Sequence, residues 1–260
     1  VPHADALDWL RRQVLPDGSW PFVPGDPGAP EPTVLAVAAG LPPPLAWLDT
    51  TPLGYAELLL PAAMSRRPEA AARSARAIEM IRASRGEVVD AELAFDTAIP
   101  AWSWIPGTAP WVEPTSYAVI SLRRTGRQDD PRCQDGVRML VDRQCHDGGW
   151  NYGNPAMLGV DLESDFGSTG WALLALPTSP VTTRGLARMA EALRWRTTSS
   201  LALGALAACA HGADPAPFLD ALGPRQAPDG GFSGRVDWTA LAALAFETAQ
   251  TGASTLVGGP

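Results

Sequence analysis

Three segments of the chain share one local pattern: Gln13-Val-Leu-Pro-Asp17-Gly18-Ser-Trp20, Gln144-Cys-His-Asp147-Gly148-Gly149-Trp150 and Gln226-Ala-Pro-Asp229-Gly230-Gly231-Phe232. Each has a glutamine, then Asp-Gly, then a small residue and an aromatic ring. A pattern this specific recurring along one chain marks a repeat protein, and the repeat constrains the fold more than any other feature. It also has a mechanical reading: the glutamine closes a helix, Asp-Gly turns the chain through positive φ, and the ring packs back on the helix ends.

The flanks of the pattern give the repeat unit. Ala4–Val14, Pro131–Gln144 and Pro215–Gln226 carry apolar residues at helical spacing on one face. Thr33–Gly40, Ser168–Leu176 and Thr239–Ala249 are apolar all round, as a buried helix requires. The unit is an amphipathic outer helix, a turn and a buried inner helix. Three further units fit: Glu69–Ala83 before Thr115–Leu122, Thr182–Trp195 before Ser199–Cys209, and a shortened outer helix at Pro44–Leu48 before Pro52–Ala63. The expected fold is all-α, a single (α/α)6 toroid of about six outer and six inner helices. An open stack of three or four hairpins is the competing architecture. One domain is expected over residues 1–260, with a frayed tail from 251 onward. The longest segment without helical pattern, Arg85–Pro114, holds Trp102, Trp104 and Trp111.

Composition excludes several function classes. The net charge of −8 argues against a nucleic-acid partner. All 20 basic residues are arginine, so phosphate-loop and Schiff-base lysines are excluded. Three scattered cysteines, Cys133, Cys145 and Cys209, make neither a disulfide framework nor, with the three histidines, a metal-ligand set. No basic-then-apolar leader and no apolar run of ~18 residues stands out, and a soluble cytoplasmic protein without cofactor is expected.

The repeated pattern resembles the QW motif of squalene-hopene and oxidosqualene cyclases and, more loosely, of protein prenyltransferase β subunits. The resemblance covers nearly the whole chain, at the size of the small single-domain bacterial relatives. It implies that Trp20, Trp150 and Phe232 are structural staples and that an apolar, isoprenoid-like substrate enters a central cavity. Cyclases of the class II kind carry D-x-D-D-T-A at an inner-helix start, and its middle aspartate protonates the substrate. Aligned on Thr115, Glu113 falls on that acid, with Trp111 and Pro114 in place of the outer aspartates. A lone carboxyl beside proline lacks hydrogen-bonding partners in this reading.

The inner-helix starts Glu31-Pro-Thr33, Glu113-Pro-Thr115, Gly167-Ser-Thr169 and Asp237-Trp-Thr239 are equivalent. Glu31, Glu113 and Asp237 therefore read in two ways, as a helix-start cap facing the dipole or as site groups, Asp237 above all as an N-cap. Trp104, Trp111, Trp171, Trp238, Tyr55 and Tyr117 read either as core or as aromatic walls that contact substrate and stabilise a cation. Asp161-x-Glu163-x-Asp165 reads as a solvated loop or as a cation-binding rim. Asp96 reads as a turn residue or a remnant of the acid motif, and Asp129-Asp130 as an outer-helix entry. Three functions remain in view: acid-initiated cyclisation with Glu113 as donor, a non-catalytic lipid- or protein-binding toroid, and a sugar-active enzyme with paired carboxylates.

Overall fold

The computed structural model describes residues 2–87, 95–195 and 197–258; parts of the long loop and of the expected tail lie outside them. The protein is mostly helical. The helices are α1 (Pro2–Arg12), α2 (Pro30–Ala38), α3 (Leu45–Thr50), α4 (Leu60–Ala63), α5 (Ala71–Ala83), α6 (Val112–Arg124), α7 (Pro131–Asp142), α8 (Phe166–Ala175), α9 (Pro180–Ala190), α10 (Ala192–Trp195), α11 (Thr198–Ala210), α12 (Ala216–Leu222) and α13 (Val236–Thr251). A short antiparallel hairpin, β1 (Ala156–Met157) and β2 (Val160–Asp161), is set into the loop before α8.

The amphipathic and the all-apolar segments separate as their patterning dictates. Every residue of α8 from Ser168 to Ala175 is buried, and α11 and α13 are buried along almost their whole length. The amphipathic α1, α7 and α9 each bury one stripe. Among the buried helices, α2 packs on α4 and α13, α6 on α4 and α8, and α11 on α8 and α13. The amphipathic helices cover them: α1 lies on α13, α7 on α6, α9 on α8, and α12 on α11.

The repeated pattern works as a staple. Asp17, Asp147 and Asp229 each accept a backbone N–H two residues on at 3.0 Å. The following Gly18, Gly148 and Gly230 take φ of 85°, 91° and 93°, which a side chain would strain. Trp20 and Trp150 donate their indole N–H to Leu10 O and Leu140 O at 2.8 and 2.6 Å, tying the loop to the end of the preceding outer helix. Their backbone N–H groups, and that of Phe232, donate to Thr33, Thr169 and Thr239 Oγ1 at 2.9 Å, tying it to the next inner helix.

The glutamines do more than close a helix. Gln144 donates to Gly148 O and to Val181 O at the start of α9, and Gln226 to Gly230 O and to Pro2 O at the start of α1. The second of these bonds, with Trp9 Nε1 to Asp229 at 3.1 Å, joins the two ends of the chain. Gln13 is followed by one residue more before its aspartate, and it reaches only Trp9 O in its own helix, at 3.4 Å.

A fourth staple has no repeated pattern to announce it. Trp102 donates its indole N–H to Ile81 O at 2.9 Å and its backbone N–H to Thr115 Oγ1 at 3.2 Å. Its ring lies against Gly136 of α7 as that of Trp150 lies against Gly185 of α9, where an added Cβ would come within 2.9 and 2.6 Å of the ring. Trp102 thus belongs to the scaffold.

Two expectations are corrected. The tail does not fray at 251. Ser254 is fully buried, and Leu256 and Val257 are 2% and 3% exposed. Thr255 Oγ1 donates to Ala38 O, and Arg124 of α6 donates to the carbonyls of Thr255 and Ser254. Two apolar side chains and an arginine seeking carbonyl oxygens outweigh the entropy of a chain end. The inner segment Pro52–Ala63 is not one helix: a 3-10 turn, Gly54–Leu58, precedes the four-residue α4.

Candidate functional site

The N-terminal ends of α2, α6, α8 and α13 bring together most of the residues singled out from the sequence. Glu31 is in the first turn of α2, Glu113 of α6 and Asp237 of α13. None of the three is the N-cap, because each helix starts earlier; Ala29, Trp111 and Arg235 hold the cap positions without a side-chain cap bond. The carboxyls still face the positive end of their helix dipoles. Asp237, expected as an N-cap, is instead buried and held by two N–H groups of the Arg235 guanidinium, Nε and Nη2, at 3.0 and 2.7 Å.

Glu31 is not a lone carboxyl. Tyr55, on the 3-10 turn, donates to Glu31 Oε2 at 2.6 Å, and Tyr117 of α6 donates to Oε1 at 3.3 Å. Burial pushes the Glu31 pKa up, opposed by the Tyr55 hydrogen bond and reinforced by the charge of Asp237. Glu113 has no such donor among the described residues. Burial, then the charges of Asp165 and Glu31, push its pKa up to about 8, so its carboxyl is neutral at neutral pH.

Asp165 belongs to the cluster that reads from the sequence as a solvated loop or a cation-binding rim before an inner helix. It caps α8, accepting the Ser168 N–H at 2.7 Å through Oδ1. Its charge reaches Glu113 because Gly167, equivalent to Glu31, Glu113 and Asp237, has no side chain. A Cβ added there would stand 3.2 Å from Asp165 Oδ1 and 3.6 Å from Glu113 Oε1. Asp165 follows the S/T/D/N rule for helix starts, and that signal was legible in the sequence. Its neighbour Asp161 lies exposed on β2, and the Glu163 side chain is 92% exposed.

Aromatic rings form a continuous wall beside these carboxyls. Trp104 stands edge-on to Tyr55 at 4.4 Å between centroids, Tyr55 is 6.3 Å from Tyr117, and Tyr117 is edge-on to Trp171 at 4.7 Å. The inner pair is packed, with Tyr117 1% and Trp171 5% exposed. The outer pair borders a pocket of about 210 Å³ shared with Leu58, Met80, Trp102 and Pro106.

Two expected wall residues are elsewhere. Trp111 lines a separate pocket of about 160 Å³ with Phe95, Pro110 and Arg143. Trp238 sits under the Arg235 guanidinium, 4.8 Å from its ring centroid, and so helps to position the arginine that neutralises Asp237. Asp96 is exposed and accepts the Ala98 N–H in a turn, and Asp130 caps α7. His211 spends both ring nitrogens on Leu173 O and Thr178 Oγ1. Burial raises the thiols of Cys133 and Cys145 to about 11, away from the thiolate that binds metal.

No protein-family model matches the chain, and no curated protein matches it. A solved structure of a protein from Actinoplanes is similar over 96% of this chain and 99% of its own, at 15% identity and a TM-score of 0.44. A likeness at that level carries no argument about activity. Among the described residues no helix is long and apolar enough to cross a membrane.

Proposed function

We propose that the chain is an (α/α)6 toroid of the terpenoid-cyclase-like kind, and that it acts on an isoprenoid-like or other apolar substrate with Glu113 as the general acid. The toroid reading is supported by the order in which the buried helices pack: α2 on α4, α4 on α6, α6 on α8, α8 on α11, α11 on α13, and α13 back on α2. The bonds from Gln226 to Pro2 and from Trp9 to Asp229 sit at the seam.

The catalytic reading is supported by Glu113, half-buried in the first turn of α6 beside Asp165 and with no hydrogen-bond donor among the described residues. A general acid must hold its proton at working pH and release it to the substrate, which a pKa of about 8 suits. It is too weak an acid for an unactivated alkene. The fitting substrate is an isoprenoid with a basic oxygen, an epoxide above all. Glu113 gives its proton to that oxygen as the C–O bond breaks, an alkene of the chain closes the ring on the cationic carbon, and a proton lost to water ends the sequence. The rings of Tyr117 and Trp171 supply cation–π stabilisation.

The test is turnover of a panel of polyprenyl epoxides with product analysis. Glu113→Gln should abolish it while the protein stays folded. Full activity in Glu113→Gln sinks the reading. A second reading, a toroid that binds an apolar ligand without turnover, is favoured by the close packing of Tyr117 and Trp171. Binding of the panel without product points to it.

A further inference from the structure

Two buried polar atoms are left without partners at the start of α8, beside the Glu113 carboxyl, which has no hydrogen-bond donor among the described residues. Asp165 Oδ2 and Ser168 Oγ are buried and accept or donate no hydrogen bond. Ser168 is 0% exposed, so solvent does not reach it from outside. It lies one helical turn before Trp171, whose ring meets Tyr117 of α6, so its side chain leaves α8 on the side facing Glu113. The Glu113 carboxyl completes the set. Buried polar groups left unpaired are costly, and a cluster of them points to a missing partner.

The gap among these groups is the space beside Gly167. At the same repeat position the other helix starts carry Glu31, Glu113 and Asp237, and a methyl at Gly167 would occupy this space, tight against Asp165 Oδ1 at 3.2 Å and in ordinary contact with Glu113 Oε1 at 3.6 Å. The unpaired groups are chiefly acceptors, the Arg235 guanidinium is already bound to Asp237 and that of Arg188, beside the start of α8, to Asp147 and Glu191, and one wall is aromatic. That combination selects a donor-rich cation.

We propose that the gap between Glu113 and Asp165 binds an ammonium-headed organic cation, its N–H groups on the two carboxyls and Ser168 Oγ, its charge against the Tyr117 and Trp171 rings. The proposal does not rest on Glu113 being a catalytic acid. It has a proton signature. The charged groups that act on Glu113 are Glu31 from α2 and Asp165 at the start of α8, with the Tyr55 and Tyr117 hydroxyls near it; the Arg235–Asp237 pair of α13 acts on Glu31. Burial first, then the charges of Asp165 and Glu31, hold Glu113 protonated; an ammonium paired with the carboxyl favours its ionised form, so binding at neutral pH releases up to one proton.

The experiment is calorimetric titration of the protein with n-octylammonium at neutral pH in two buffers of different ionisation heat, with n-octanol as the chain-only control. Octylammonium should bind at one site at least about tenfold more tightly than octanol and release about one proton. Glu113→Gln should remove the proton release. Gly167→Ala should weaken binding at least about tenfold with an undiminished Tm, since alanine suits a helix better than glycine. Asp165→Asn, which keeps the helix cap, should weaken it likewise. Equal binding of octanol, no binding of octylammonium, proton release that persists in Glu113→Gln, or an unaffected Gly167→Ala would each overturn the proposal. Epoxide turnover is a separate readout, so failure of the acid reading leaves this result standing.

Discussion

Tyr55 donates its hydroxyl hydrogen to Glu31 across 2.6 Å, from a 3-10 turn to the first turn of α2, 24 positions apart in sequence. This bond and the weaker one from Tyr117 offset the burial that raises the Glu31 pKa. Tyr55→Phe removes the better donor. Stability should fall by about 1–2 kcal/mol. The Glu31 pKa should rise further, so the loss should grow as pH climbs above the unfolded carboxylate range. Urea unfolding of both proteins across mildly acid to neutral pH checks this; a pH-independent difference would contradict it.

Glu113 makes a separate pH prediction. Its folded pKa is raised to about 8 from 4.5. The unfolded chain releases its proton at lower pH than the folded one, so stability is greatest below about 4.5 for this group and declines until pH passes about 8. Allowing for its partial exposure, the decline is on the order of 2–3 kcal/mol. Glu113→Gln should flatten the slope of unfolding free energy against pH in that window and should be the more stable protein at its alkaline end.

The four staples should be energetically alike. Thr33, Thr115, Thr169 and Thr239 are fully buried, and each accepts an N–H from the staple residue. Replacing any of them by valine leaves that donor unsatisfied and should cost about 1–3 kcal/mol. The decisive member is Thr115→Val. A cost well below the others in thermal unfolding would remove Trp102 from the scaffold.

The tail is a structural element. Leu256→Ala should cost about 2–4 kcal/mol, as for a core leucine. Removing residues 253–260 should cost more, because it also strips the carbonyls that Arg124 binds. Equal melting of full-length and shortened chains would show that the segment contributes nothing.

Much of the scaffold was readable along the chain. Asp-Gly fixed the positive-φ turns, because only glycine takes that backbone without strain. Apolar residues on all sides of Ser168–Leu176 required burial, and the recurrence of Gln, Asp-Gly and a ring set the repeat. Trp102 escaped because its staple bonds are to Ile81 O and Thr115, groups that any sequence contains, and no Asp-Gly precedes it. The tail escaped because its partners, Ala38 and Arg124, are remote in sequence.

For the site, the repeat register alone aligned Glu31, Glu113, Gly167 and Asp237, since equivalent helix starts follow from local pattern. What each of them became was decided by packing between helices. Two tyrosines from different elements reach Glu31, an arginine takes Asp237, and no donor among the described residues reaches Glu113. The charge state of a carboxyl depends on the dielectric and the partners around it, and those are set by residues distant in the chain. The sequence determined where the carboxyls stand; only the tertiary structure decided which is held, which is paired and which keeps its proton.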